Sequence, residues 1–266
     1  MNVQPVITSQ HNASFKDSVR LHEASERRDR HLFIIEGTHL VEEAIATEWP
    51  LKALWYEESW ADEHASLFER IRSDKNRVGM LLQPTTCDLM RRLSTTSSRT
   101  PVIGIANHPK KSLVPTHPIS LGLVVESLQD PGNLGSMIRI AAAVGIGQVI
   151  LSQDSVSPTN PKVLRATAGQ WFRSPPLVAD LPTFLTHQAA ASVQILAAAA
   201  DGVSFWEHDL KVPTLFLLGN EGSGLSMELR EIATATVSVP MANGVESLNV
   251  SIAAALLLYE AQRQRR

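Results

Sequence analysis

Five short apolar runs constrain the second half of this chain: LGLVVE (121–126), GQVILS (147–152), VQILAAAA (193–200), TLFLLG (214–219) and TVSVP (236–240). Each reads as a strand buried on both faces. Strands of that kind belong to parallel sheets covered by helices. The intervening stretches predict those helices over 133–144, 160–167, 181–191, 225–233 and 247–264, the last ending in a polar, basic QRQRR. The expectation is an α/β domain with an open parallel sheet.

A weaker version of the pattern precedes it. LFIIEG (32–37), LKALWY (51–56), VGMLL (78–82) and PVIGIAN (101–107) alternate with polar, helix-like stretches, among them HLVEEAI (39–45) and LMRRL (89–93). This predicts a small α/β domain over residues 1–107. NHPKKSLVPTHP (107–118) holds three prolines and two lysines without apolar periodicity and reads as a linker, placed at 108–118. The larger domain then runs over 119–266. A chain of 266 residues, 44% hydrophobic and 19% charged, is long enough for two such cores.

The formal net charge of −3 excludes a general polycation but not a local nucleic-acid patch. Residues 70–99 carry seven basic side chains (Arg70, Arg72, Lys75, Arg77, Arg91, Arg92, Arg99) against Asp74 and Asp88, which also fits a solvated helix face. The single cysteine, Cys87, rules out an intramolecular disulfide and points to a reducing cytoplasm. No signal-type apolar run opens the sequence, and IAAALLL (252–258) is too short to span a bilayer. The nine histidines show no metal-ligand spacing, so no metal is expected.

In an open parallel sheet, ligands bind beyond the carboxyl ends of the strands. Three loops rich in glycine and polar residues stand there: DPGNLGSMIR (130–139), GNEGSGLS (219–226) and PMANGVESLNVS (240–251). Each alone has a plain explanation as a tight turn or helix cap; three in one half of a chain point to a ligand site. The first lacks the glycines of a dinucleotide fingerprint, and no lysine follows the glycines of the second, as a phosphate-binding P-loop requires. Arg139, set between Ile138 and Ile140, carries a charge that is costly to bury alone. It either meets a ligand or pairs with a carboxylate such as Glu126 or Glu221.

At these residues the sequence resembles the SpoU/TrmH family of RNA 2′-O-ribose methyltransferases, in the knotted SPOUT superfamily. The three family motifs occur in order: N-x-G-x-x-x-R at Asn133, Gly135 and Arg139; G-N-E-G-x-G-L at 219–225; and P-M…ESLNVS-x-A at 240–253. ITSQHN (7–12) and RDRHLFIIEGTHLVEEA (28–44) are similar to the opening of longer members, whose accessory domain has the ribosomal protein L30e fold and binds RNA.

The resemblance implies a SPOUT parallel sheet with a deep trefoil knot, an S-adenosylmethionine site and a homodimer. It also implies an RNA substrate, with ribosomal RNA, large subunit first, ahead of tRNA. Carried onto this chain, it puts the cofactor against Leu218, Gly219, Val239, Pro240, Met241 and Leu248. Arg139 then approaches the target ribose and phosphate, with Asn133, Glu221, Ser247 and Asn249 completing the polar site. Asn220 and Glu221 could equally hold the loop through hydrogen bonds, and Ser247 and Asn249 could cap the last helix while facing the ligand. Many relatives have P-M-x-G where this chain has Pro240-Met241-Ala242-Asn243; Asn243 is expected to take the positive φ there.

In the accessory domain Arg27, Arg28, Arg30 and His39 are candidates for phosphate contacts, or the arginines pair with Glu23, Glu26 and Asp29 nearby. Two other classes stay open: a non-catalytic RNA-binding member of the fold, and a dinucleotide-dependent oxidoreductase.

Overall fold

The computed structural model describes residues 4–74, 79–108, 115, 117–146 and 148–266. Most of the expected linker at 108–118, with Lys75 and Arg77, lies outside them. The chain forms two compact units, Met1–Lys110 with Thr159–Phe172, and Lys111–Pro158 with Arg173–Arg266.

The first unit is built on a four-stranded mixed sheet of β1 (Leu32–Glu36), β2 (Leu51–Tyr56), β3 (Leu81–Pro84) and β4 (Val102–Asn107), ordered β1-β4-β2-β3. β4 is antiparallel to both its neighbours, while β2 and β3 run parallel. Helices α1 (Ala13–Val19), α2 (Ala24–Arg30), α3 (Thr38–Ala46), α4 (Glu58–Glu63), α5 (Ala65–Ser73) and α6 (Cys87–Leu93) surround it. One core joins Phe15, Leu21, Ile34, Trp55, Met90, Leu93 and Ile103. The segment 159–172, expected within the larger domain, groups with this unit. Its helix α8 (Pro161–Ala166) brings Arg165 within 2.6 Å of the buried Glu36, and the Trp171 ring lies 5.0 Å from Phe33 and 5.1 Å from Trp49.

The second unit holds a six-stranded sheet in which every pairing is parallel. Its strands are β5 (Leu121–Val125), β6 (Val149–Leu151), β7 (Leu177–Val178), β8 (Gln194–Ser204), β9 (Thr214–Leu218) and β10 (Ala235–Ser238), ordered β10-β8-β9-β5-β6-β7. β5, β6 and β9 are buried at nearly every residue, as uninterrupted apolar runs require. Two-residue β7, within PPLVA, was too short to read from sequence.

Helix α7 (Pro131–Val144) starts because the Asp130 carboxylate accepts from the Asn133 N–H at 2.8 Å and Pro131 stands at the first turn. It stops at Gly145, whose φ of +82° is left-handed. Helices α9 (Leu181–Ala190), α10 (Met227–Ile232) and α11 (Val250–Arg265) complete the layers. α11 begins three residues later than its apolar pattern predicts, because Asn249 is the cap, its Oδ1 accepting from the Ser251 N–H at 2.9 Å. From the β10 edge the chain returns to pack α11 on α7 and β9. Among the described residues no helix is long and apolar enough to cross a membrane, and no three His, Cys, Asp or Glu side chains could hold a metal ion.

Candidate functional site

Strand register delivers the loops. Val125 at the end of β5 pairs with Leu218 at the end of β9, so residues 126–133 and 219–226 leave the same edge of the sheet side by side. The β9 turn is closed on itself: Asn220 and Gly224 exchange N–H···O bonds at 3.0 Å each. A Cβ at Gly219 would fall 2.2 Å from the Gly224 carbonyl carbon, so no other residue fits without moving backbone. The Asn220 side chain also pins the turn, its Oδ1 accepting from the Gly222 and Ser223 N–H groups (2.9 and 3.0 Å) and its Nδ2 donating to the Ser127 carbonyl (2.7 Å).

A chain of side chains then ties the three loops together. Asn249 Nδ2 donates to Asn133 Oδ1 at 2.9 Å, and Asn133 Nδ2 donates to Glu221 Oε1 at 3.0 Å. Glu221 also accepts from the backbone N–H groups of Asp130 (3.2 Å) and Gln129 (3.3 Å). Burial pushes its carboxyl up, but the bonds from Asn133 and from the backbone N–H groups outweigh that and hold it below the usual carboxylate range. Of the two roles open for Asn220 and Glu221, loop-holding is the one their bonds serve.

Beside this chain lies a cavity of about 580 Å³. Its lining contains Leu218, Gly219, Val239, Met241 and Leu248, five of the six residues expected to hold a cofactor, together with Glu221, Ser247 and Asn249. Pro240 is exposed and outside the lining. Ala198, Ala199, Ala200 and Glu246 line it too and were missed. The alanines had a signal, a run of four small residues at the end of an apolar strand. Positive φ in the last loop falls on Gly244 (+86°) and not on Asn243, since glycine takes that backbone without a Cβ clash.

Arg139 is exposed on α7, six residues and so about 9 Å along the axis from Asn133. Among the described residues it has no ion pair, with Glu126, Glu221 or any other group. Glu126 instead accepts from the Ser226 N–H at 2.8 Å. Arg139 does not line the cavity. Ser247 is exposed and makes no hydrogen bond among the described residues; the side chain that caps α11 is that of Asn249.

A supporting layer was not legible. Ser127 holds a left-handed φ of +50°. Its N–H donates to Ser152 Oγ (2.7 Å), its carbonyl accepts from Asn220 and Gln129, and its hydroxyl donates to Asp154. The hydrogen bonds from Ser127 and Ser152 hold the Asp154 carboxyl below its usual range.

The four basic candidates of the first unit separate. Arg27 is 4% exposed and donates to the carbonyls of Leu21 (3.0 Å) and His22 (2.7 Å), so its guanidinium is turned inward and the expected phosphate contact is corrected to a structural role. Burial lowers its pKa. Arg30 pairs with Glu26 (2.7 Å) and Asp17 (3.2 Å). His39 is exposed, within 3.1 Å of the Ala168 carbonyl and 4.0 Å of Glu42. Arg28 is exposed and unpaired among the described residues.

Comparison with known proteins agrees along both parts of the chain. Residues 120–259 match the SpoU rRNA Methylase family, and residues 12–104 match an MRM3-like substrate binding domain. The chain is 31% identical over 254 residues to the 23S rRNA (guanosine(2553)-2′-O)-methyltransferase RlmP of Bacillus subtilis, covering 95% of this chain and 97% of that one. The AdoMet-bound rRNA methyltransferase of Sinorhizobium meliloti superposes with a TM-score of 0.86 at 30% identity, over 98% of each chain. The SpoU methyltransferase AviRb of Streptomyces viridochromogenes, in complex with AdoMet, gives 0.83 at 28% identity over 96% of this chain and 98% of that one.

Proposed function

The chain belongs to the SpoU rRNA methylase family, and we propose that it carries the methyl group of S-adenosylmethionine to a ribose 2′-hydroxyl of ribosomal RNA, the large-subunit RNA ahead of tRNA. The observation that carries this reading is the Asn249–Asn133–Glu221 chain, which joins three strand-end loops beside the cavity.

The residues present fit that cofactor. The side-chain-free backbone of Gly219, Gly222 and Gly224 lines the cavity, Ala198–Ala200 with Val237 and Val239 form an apolar wall suited to adenine, and the Glu246 carboxylate suits a cationic sulfonium or amine. Leu218, Gly219, Val239, Met241 and Leu248 hold it, with Pro240 shaping the turn. When bound, S-adenosylmethionine supplies an activated methyl group. The 2′-hydroxyl is also the group that separates RNA from DNA.

Arg139 meets the phosphate beside the target ribose, orients the hydroxyl and stabilises the charge that develops on its oxygen. The hydroxyl proton passes to solvent water, to which Arg139 is exposed. Glu221 serves the loops, its oxygens accepting from Asn133 and the backbone of Asp130 and Gln129. Asn133, Glu221 and Asn249 set the spacing of the loops, and Ser247, free at the cavity, contacts the ligand. Transfer of labelled methyl groups to ribosomal RNA, with tRNA as the second arm, tests the activity. Absence of transfer to either RNA while S-adenosylmethionine binds would leave the non-catalytic alternative.

Residues 1–107 with 159–172 act as the RNA-holding unit and 119–158 with 173–266 as the methyltransferase unit; the return from β10 to α11 is the path that closes the trefoil knot. The exposed apolar stripe Ile252, Leu256 and Tyr259 on α11 supports a homodimer formed through that helix. Ile252→Glu is expected to halve the mass measured by light scattering. A ribosomal substrate and a lone free cysteine, Cys87, suit the cytoplasm.

A further inference from the structure

The first unit carries a second depression, of about 350 Å³, enclosed by Gln10, Phe15, Lys16, Val19, Arg20 and Arg92. Its floor is apolar, with Phe15 2% exposed and Val19 half-buried. Its rim holds three cations and, among the described residues, no carboxylate. Lys16, Val19 and Arg20 fall at spacings of three and four along α1 and its 3₁₀ continuation, so they share one face. α6, packed beside α1, supplies Arg92.

The charges on this rim are not neutralised locally. Lys16 is exposed and unpaired among the described residues. Arg92 donates only to the Gln10 side-chain oxygen, a neutral acceptor that leaves its charge uncompensated. Arg20 stands 3.8 Å from Asp17, a carboxylate that Arg30 approaches more closely, at 3.2 Å. By contrast Arg99 and Arg165 are each held at 2.6 Å by Glu57 and Glu36. The expected phosphate contacts lie at Arg27, Arg28 and Arg30 on α2 and at His39 on α3; Arg27 is buried and Arg30 paired, and besides Arg28 the unspent positive charge lies on α1 and α6.

Three cations around an apolar floor suit an anion joined to a flat apolar group. The volume lies within the range of small-ligand sites. An acidic peptide supplies the charge without the flat ring, whereas a nucleotide of an RNA strand supplies both, its phosphate to the rim and its base or sugar to the floor. We propose that the α1–α6 depression is a nucleotide-binding subsite that grips the substrate RNA away from the methylated ribose, through Lys16, Arg20 and Arg92 against Phe15 and Val19. This rests on the reading of the chain as an RNA methyltransferase and adds to it a place of contact.

The test uses the full chain and three proteins: wild type, the triple variant Lys16→Ala/Arg20→Ala/Arg92→Ala, and the charge-keeping Lys16→Arg/Arg20→Lys/Arg92→Lys. Binding to a large-subunit rRNA transcript and to a short oligouridylate is followed by fluorescence anisotropy across a salt series. The alanine variant is expected to bind RNA on the order of tenfold more weakly, with a log–log salt slope shallower by about 0.7, as loss of one single-strand phosphate contact requires. Its KM for RNA rises while kcat and S-adenosylmethionine affinity stay at wild-type values, and the charge-keeping variant binds like wild type.

Wild-type affinity and slope in the alanine variant overturn the proposal. So does equal loss in the charge-keeping variant, or tighter binding of an acidic peptide than of RNA. A wild type that binds RNA through this rim but transfers no methyl group sinks the methyltransferase reading and leaves the subsite supported. A wild type that binds no RNA overturns both.

Discussion

In the methyltransferase unit the polar groups that join the three loops beside the cavity are spent on one another, whereas in the accessory unit several cations are left unspent. Glu221 accepts from Asn133, Asp130 and Gln129, Asn249 reaches Asn133, and Asn220 closes its own turn; among the basic groups nearby, Arg139 stays free. In the accessory unit Arg27, Arg30, Arg99 and Arg165 are engaged, but Lys16 and Arg28 have no partner among the described residues and Arg92 has only a neutral one. A network of fixed hydrogen bonds holds geometry, which in-line methyl transfer needs to within a fraction of an ångström. Unpaired charge on a surface holds by attraction, which tolerates displacement and weakens with salt. Substitutions in the first region should lower kcat without regard to ionic strength; those in the second should raise KM and change its salt dependence.

Arg139→Ala gives the largest effect that this contrast predicts. Methyl transfer should fall on the order of 1,000-fold, about 4 kcal/mol of transition-state stabilisation, with S-adenosylmethionine affinity measured by calorimetry near wild type. Because Arg139 is exposed and, among the described residues, unpaired, the folded state loses no bond there, and melting should not move. Turnover at the wild-type rate would end the assigned role, and a loss confined to KM would place Arg139 with the gripping cations. Next in size is Gly219→Ala, whose new Cβ must push the Gly224 backbone from 2.2 Å. Strain of about 3 kcal/mol is expected, read as a lower melting temperature and cofactor affinity weakened on the order of 100-fold. Unchanged cofactor affinity would separate the turn from the cofactor site.

That the loops stand together was legible before any coordinates, because the signals are local. Uninterrupted apolar runs imply parallel strands, and glycine, asparagine and aspartate after them imply turns at one sheet edge. What local signals miss is what distant residues decide. Segment 159–172 reads as part of the larger domain until Trp171 is seen against Phe33 and Trp49, more than a hundred residues earlier. Arg27 and Arg28 are neighbours on one short helix, and which of them faces inward depends on the Leu21 and His22 carbonyls, exposed by a 3₁₀ turn that no periodicity marks. The apolar run that marks β8 stops at Ala200, whereas the strand continues to Ser204, so Ala198–Ala200 line the cavity from within the strand and not from a loop after it. Ser127 and Asp154 come together only through strand order, β5 lying beside β6.

The two neighbouring arginines sharpen the comparison inside the accessory unit. Arg27→Ala removes a buried guanidinium and leaves two carbonyls without their donor, so a loss of about 2 kcal/mol in chemical denaturation is expected. Arg28→Ala should stay within about 0.5 kcal/mol, as exposed positions do. If Arg28→Ala instead weakens RNA binding as strongly as the α1–α6 triple variant, the grip extends over α2 and the boundary between spent and unspent charge must be redrawn.

The smallest effect concerns Glu221 and pH. Its carboxyl lies below the usual range when folded, because the bonds from Asn133 and the backbone N–H groups outweigh burial. A depressed folded pKa means that the stabilisation is fully present above the unfolded value of about 4.3 and is lost as pH falls through the folded value. Glu221 is largely exposed, so solvent screening keeps the contribution small. Glu221→Gln keeps the size of the side chain and an acceptor for Asn133 but does not titrate. The melting temperature of the wild type should therefore exceed that of the variant by a constant margin from pH 8 to about 5, and the margin should shrink below that. A margin independent of pH down to the acid limit would mean that the carboxylate charge adds nothing to the join, and that Asn133 and Asn249 alone hold the three loops in register.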